Sequence, residues 1–361
     1  MRYLATTLFA VFFLSAAPAL AFPIDDEAAG EPVRKLVAGY IQPAFQRFAE
    51  NAELSAVAMD ALCEDPGERT LGSARQAFRD SALSFARIDF LRIGPLIQEN
   101  RLERLLFWPD RRGIALRQVQ GVLAEGDESV TDAANLPAKS VALQGFTALE
   151  FLLFGTGSDD LAERADHRCH FAGAVAENIR AVASELNDEW QDDKGFATIW
   201  SVPGPDNASF RNAEEVISEL LSIPSEAFEI IRDQRLKPVL PEEEGGKPQP
   251  KRALFWRSGL TMDFTAASFK ALRAYFETAA IADLLPEEER WQARSIEFEF
   301  NNAEAALSRL NMPIEDILAD EERTADLTYL VILSQSLQRL FGEQLTATLG
   351  LSVGFSSLDG D

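Results

Sequence analysis

The chain reads as an all-α protein of two packed helical bundles, and three observations predict it. Apolar residues recur three or four positions apart in almost every segment, the spacing of a helix face. No run of alternating apolar and polar residues is long enough for a half-buried strand. Breakers such as Asp65-Pro66-Gly67, Gly94-Pro95 and Gly155-Thr156-Gly157-Ser158-Asp159 cut the chain into helix-length pieces. The length of 361 residues gives room for two compact domains. A short internal echo, LLFWPDRRGIAL at Leu105–Leu116 and ALFWRSGLTMDF at Ala253–Phe264, suggests two related halves.

Each element has its own signals. Pro32 stands at a good helix-start position, and Val33, Leu36, Val37, Tyr40, Ile41, Phe45 and Phe48 follow the helical period towards Leu62. A second helix is expected from Thr70 to Leu91, with Phe78, Leu83, Phe85, Ile88 and Leu91 facing the core, and it stops at Gly94-Pro95. The loop Glu99–Gly113 sets Trp108 and Pro109 beside Asp110, Arg111 and Arg112, an aromatic surface next to cationic donors. A third helix follows at Ile114–Ala124, and a fourth starts near Pro137 and ends at Gly155. Beyond that break, helices are expected at Leu161–Trp190, at Ala208–Leu236 with a bend near Pro224, up to Leu284, at Pro286–Leu310 and at Glu321–Leu349. The segment Lys237–Lys251, with four prolines and two glycines among charges, reads as a surface loop.

Composition narrows the function. An apolar content of 47% with 25% charged residues is that of an ordinary globular protein. Twenty-five Phe against four Tyr predict dense aromatic packing with few polar handles. A net charge of −24 argues against nucleic acid and anionic membrane surfaces as partners. Residues 1–21, with Arg2, an apolar run from Leu8 to Leu14 and small residues at Ala19 and Ala21, have the pattern of a secretory signal peptide. No later segment is apolar over the length of a bilayer span, so an exported protein of the periplasm or cell envelope is expected. In an oxidising compartment Cys63 and Cys169 are candidates for a disulfide, two buried thiols being the alternative.

Ser140–Gly155 is the most informative stretch. Between Lys139 and Asp159 its only charge is Glu150, set among Phe146, Leu149, Phe151, Leu152, Leu153 and Phe154. A helix apolar all round belongs in the interior. An ionised carboxylate there must pair, bind a cation or stay protonated. It is thus either one member of a buried ion pair or a functional group in a cleft. The two histidines, His167 and His170, lie three apart and could share one cation, but no further ligand stands at a recognised spacing. The zinc motif H-E-x-x-H, a serine-hydrolase elbow, a Walker loop and a dinucleotide fingerprint are all missing.

The run Ala142–Gly155 resembles the signature helix of imelysin-like proteins, G-x-H-x-x-E followed by an apolar run and a Gly. Gly145 and Glu150 match, and Thr147 stands at the His position. The resemblance continues through Arg92-Ile93-Gly94-Pro95, Phe107-Trp108-Pro109-Asp110, Phe255-Trp256-Arg257-Ser258 and the ending Gly354-Phe355 with Leu358-Asp359-Gly360-Asp361. It implies two helical bundles with a cleft between them, export to the cell envelope, and a link to iron acquisition. A metallopeptidase label also attaches to the family through its His/Glu pair. Threonine is a poor metal ligand and no base at neutral pH, so the substitution leaves one carboxylate from this helix.

The expected organisation is therefore a signal peptide at 1–21, an N-terminal bundle at 22–157, and a C-terminal bundle at 158–361 carrying the Pro/Glu-rich loop 237–251. The expected function is a non-catalytic binding or accessory component of iron- or haem-related uptake, partnered by envelope uptake proteins. Its cleft would centre on Glu150, with Trp108, Asp110, Arg111, Gln144, Gly145, Thr147, Arg257 and Ser258 as candidates. Iron or another divalent cation is the expected cofactor, with Glu150, His167 and His170 as candidate ligands. A metallopeptidase with a degenerate site and a structural envelope module are the alternatives.

Overall fold

The computed structural model describes residues 24–243 and 245–351. The signal peptide at 1–21 and the closing motif from Gly354 to Asp361 lie outside the described residues. The described chain is helical throughout, with no strand among those residues. In order the helices are α1 (Asp26–Leu36), α2 (Gln42–Glu64), α3 (Glu68–Phe85), α4 (Arg101–Leu105), α5 (Ile114–Glu125), α6 (Phe146–Phe154), α7 (His167–Gln191), α8 (Phe196–Ser201), α9 (Ala213–Ile230), α10 (Thr261–Thr278), α11 (Trp291–Arg309), α12 (Ile314–Ala319) and α13 (Glu321–Arg339). No described helix is long and apolar enough to cross a membrane.

The first bundle is built on α2, α3, α6 and α7. α2 and α7 run antiparallel along their whole length. At one end Cys63 and Cys169 are joined by a disulfide with Cα atoms 5.8 Å apart, and at the other the Gln42 amide donates to the Trp190 carbonyl at 2.9 Å. Because α7 packs here, the break at Gly155–Asp159, with its expected boundary at 157/158, falls between two helices that both pack in the first bundle. The second bundle is formed by α9, α11 and α13, with α10 lying between α11 and the α3 edge of the first bundle. α1 packs on α9, so the first described helix belongs with the second bundle.

Several boundaries differ from expectation, each for a local reason. α1 starts at Asp26, two turns before Pro32, because the Asp25 side chain accepts the Ala28 N–H at 2.8 Å and caps the helix there. A wide π-type turn at Val37–Ile41 then carries the chain into α2. Pro137 sits in a short turn, Ala133–Ala138, and the signature helix begins only at Phe146. Pro224 lies within α9 without ending it. Proline has no N–H to donate to Leu220, whose carbonyl instead accepts the Tyr275 hydroxyl at 2.9 Å. The irregularity comes later, as a π-type turn at Ile231–Leu236.

The two halves are joined by aromatic packing and one buried ion pair. Phe255, from the loop before α10, sets its ring edge-on to Phe78 at 5.9 Å and to Phe146 at 6.4 Å, and meets Phe264 at 5.2 Å. Asp89, after α3, is buried against Arg235 of the π-type turn, and Arg235 also donates to Ser268 of α10 at 3.1 Å.

Candidate functional site

α6 carries the site because two glycines allow it to sit where it does. A Cβ on Gly145 would lie 2.3 Å from the Leu105 carbonyl oxygen and 2.5 Å from that of Arg104, so only glycine lets the end of α4 approach. Gly145 also starts the helix, its carbonyl accepting the N–H groups of Ala148 and Leu149 at 3.1 and 3.0 Å. Gly155 ends it against the Phe151 carbonyl.

Glu150 is 3% exposed and is held from the other half of the chain. Its Oε1 accepts both the backbone N–H and the hydroxyl of Ser258, each at 2.9 Å. The Arg257 guanidinium stands 3.9 Å from Oε2 and lies over the rings of Trp256 and Phe151, at 4.5 and 5.4 Å. Burial pushes the Glu150 carboxyl above its ordinary range, and the Ser258 hydrogen bonds and Arg257 only partly oppose it. Burial also lowers the proton affinity of Arg257, with Glu150 acting the other way. The segment is fixed by Arg79, which donates to the Ser258 carbonyl, and by Phe255, whose backbone takes φ +58°. A left-handed conformation is costly for a bulky residue, and here the packed ring holds it in place.

Glu150 faces a cavity of about 530 Å³, within the range of small-molecule sites. One wall comes from the first bundle: the loop Phe107–Arg111, α5 through Leu116 and Val119, and α6 through Thr147, Glu150 and Phe151. The other comes from the second half: Asp233, Gln234 and Lys237, then Lys251 to Arg257. Both copies of the Phe-Trp pair of the internal echo thus line the cavity, Phe107-Trp108 from one half and Phe255-Trp256 from the other. Trp108 ties the walls together by donating its indole N–H to the Gln234 carbonyl at 3.4 Å. Asp110 accepts the N–H groups of Ile114 and Ala115 at 2.7 and 2.8 Å and so anchors the start of α5. The Thr147 hydroxyl, in the cavity wall, is buried without a hydrogen-bond partner.

The imelysin family profile matches residues 41–341. The chain belongs to the imelysin family. A search of curated proteins finds no match. Among solved structures, an imelysin-like protein from Psychrobacter arcticum 273-4 superposes with a TM-score of 0.73 at 19% identity, over 93% of this chain and all of that one. A protein from Parabacteroides distasonis ATCC 8503, assigned as an iron-regulated protein A precursor, superposes with a TM-score of 0.64 at 17% identity, over 90% of this chain and 97% of that one. At such identities the likeness is one of fold, and it agrees with the all-α architecture.

Within this imelysin fold the sequence candidates separate. Trp108, Asp110, Arg111, Thr147, Glu150 and Arg257 line the one cavity, and Ser258 lies directly behind Glu150. Gln144 and Gly145 do not line it. Gln144 is buried in a polar knot, accepting from Arg104 at 3.2 Å and donating to the Lys139 carbonyl at 2.8 Å, while Asn178 donates to its backbone carbonyl at 3.0 Å. His167 and His170 are absent from the cavity wall as well. His167 starts α7 and bonds the Asp127 carbonyl through Nε2 at 3.0 Å, and His170 is exposed on the same helix.

The peptidase name of the imelysin family implies a metal, and the residues present do not fit one. A catalytic metal needs about three protein ligands and an open position. Among the described residues no three His, Cys, Asp or Glu side chains converge in that way. Glu150 has one oxygen occupied by two donors and the other turned towards a cation, while Thr147 offers only a hydroxyl. The expected ligand set of Glu150, His167 and His170 is therefore not assembled.

Sequence reading missed Lys251, Lys237, Asp233 and Gln234. The segment 237–251 reads as an ordinary surface loop by composition, yet its ends form the cavity's second wall. The available signal was position, since Lys251 stands just before the Leu254-Phe255-Trp256 stretch of the internal echo.

Proposed function

We propose that this imelysin is an exported, non-catalytic binding protein of the cell envelope that takes a small ligand connected with iron uptake into the cavity around Glu150. One observation carries the reading: the only carboxylate of the signature helix has one oxygen bonded twice by Ser258 and the other turned towards Arg257, beside a cavity large enough for a small molecule. A carboxylate held this way orients a neighbouring wall, and with no three ligand side chains converging among the described residues it does not make a metal site. The signal-peptide pattern at residues 1–21 supports export, and the iron-regulated designation of the Parabacteroides distasonis relative supports the link to iron. Envelope components of iron or haem uptake are the partners this reading calls for.

Two measurements test it. Oxidised insulin chain incubated with the mature protein and added zinc is expected to stay intact; cleavage that disappears in Glu150→Gln overturns the non-catalytic role. Isothermal titration with ferric citrate is expected to give saturable binding that Leu116→Trp, a side chain filling the cavity, weakens at least tenfold. No binding overturns the iron connection, and binding indifferent to that substitution overturns the cavity as the site.

A further inference from the structure

We infer that the cavity ligand is an organic anion with a flat apolar body, an aromatic carboxylate by class, and not a bare metal cation. The inference rests on the cavity being the binding site and adds the ligand's chemistry.

The charge lining the cavity runs against that of the chain. Five cationic residues and four carboxylates line it, in a protein whose net charge is −24. The carboxylates are engaged within the walls. Asp233 pairs with Lys237 at 2.7 Å and Glu242 with Arg252 at 2.8 Å. Asp110 caps α5 with both oxygens, and Glu150 receives Ser258. Three cations remain for a ligand. Arg111 and Lys251 are exposed and have no carboxylate partner among the described residues, and Arg257 lies deeper, with Glu150 no closer than 3.9 Å. A metal ion entering here would meet cations first and find each of the four carboxylates already engaged through at least one oxygen.

The cations are also held in position. Lys251 Nζ is 5.6 Å and the Arg257 guanidinium 4.5 Å from the centre of the Trp256 ring, so one indole orients both. The apolar wall opposite includes Leu116, Val119 and Phe151, which suits a flat hydrophobic body. Thr147 also lines the cavity, and its hydroxyl is buried without a hydrogen-bond partner. The overall charge repels anions at long range, so these three cations act at contact.

The test uses two probes with the same aromatic body and opposite charge, 2-naphthoate and 2-naphthylmethylammonium, titrated calorimetrically into the full mature chain. Naphthoate is expected to bind at least tenfold more tightly than the ammonium. The double substitution Arg111→Gln with Lys251→Gln, both on exposed side chains, is expected to remove most of that preference while leaving the circular dichroism and Tm unchanged. Equal affinities, preference for the ammonium, no naphthoate binding, or naphthoate binding indifferent to the double substitution or to Leu116→Trp each overturns the inference. Ferric citrate binding that responds to Leu116→Trp alongside any of those results leaves the cavity reading standing and removes only the ligand class. Selective naphthoate binding without ferric citrate binding removes the iron connection and keeps the anion.

Discussion

Asp89 and Glu150 are both buried carboxylates in the first half of the chain, and each meets an arginine from the second. Asp89 is 1% exposed, and Arg235, itself 6% exposed, is in direct contact with it, with Ser268 behind. The space beside that pair, about 10 Å³, is close to the size of one water molecule. Glu150 is as deeply buried, but its charge is met mainly by the neutral donors of Ser258, its arginine stands off at 3.9 Å, and it faces some 530 Å³ of cavity. The first arrangement neutralises a charge and closes the space around it, which fastens the two halves together. The second leaves a carboxyl with raised proton affinity beside an arginine whose charge is only partly answered, and leaves room for something to answer it. Burial alone therefore does not identify a site; the distance to the partner and the space beside it do.

The largest effect expected from this contrast is at the fastening pair. Asp89→Ala leaves the Arg235 guanidinium buried without its counter-charge and should destabilise the protein by about 3–5 kcal/mol, read from urea denaturation. A loss under 1 kcal/mol would mean the pair does not hold the halves. Next comes Ser258→Ala, which removes one of the two donors to Glu150 Oε1 and keeps the backbone N–H; a loss of about 1–3 kcal/mol is expected by the same method. Asp110→Ala deletes two bonds at the start of α5 and should cost about 0.5–2 kcal/mol. It should weaken cavity ligands as well, because the Trp108 loop loses its anchor. The smallest effect is a slope. The folded carboxyl of Glu150 lies above its ordinary value of 4.5, so the native state holds a proton there that the unfolded chain releases. The stabilisation is complete below pH 4.5 and is lost as pH rises through the folded value. Stability of the wild type relative to Glu150→Gln should therefore fall as pH is raised above about 4.5; a flat or rising difference in paired denaturation curves would contradict the raised proton affinity.

Much of this was legible in the chain because it is local. The period of Phe78 and Phe85 marks a buried helix face, and a single acid between Lys139 and Asp159 marks Glu150 as unusual. The partners were not legible because they are remote. Ser258 lies 108 residues from Glu150 and Arg235 lies 146 from Asp89, and each is an ordinary residue in its own segment. The boundaries failed where proline has more than one use. Pro32 and Pro224 sit inside helices, the Tyr275 hydroxyl taking the carbonyl that Pro224 leaves free, and Pro137 belongs to a short turn, not to the start of the signature helix. The assignment of α7 to the first bundle is fixed by packing against α2, which local periodicity does not record.

The bridge between Cys63 and Cys169 has one more consequence. The 106-residue span it closes contains α3 to α6 and every first-half residue of the cavity, from Phe107 to Phe151. That wall is a covalent ring. In the chain-entropy picture, a closure of about this length is worth about 4–5 kcal/mol against the unfolded chain. While the bridge is intact, the strand carrying Trp108, Thr147 and Glu150 stays looped even when the second half has let go. Once it is reduced, the same residues belong to an open segment that must find its ends again before Ser258 has a carboxylate to meet.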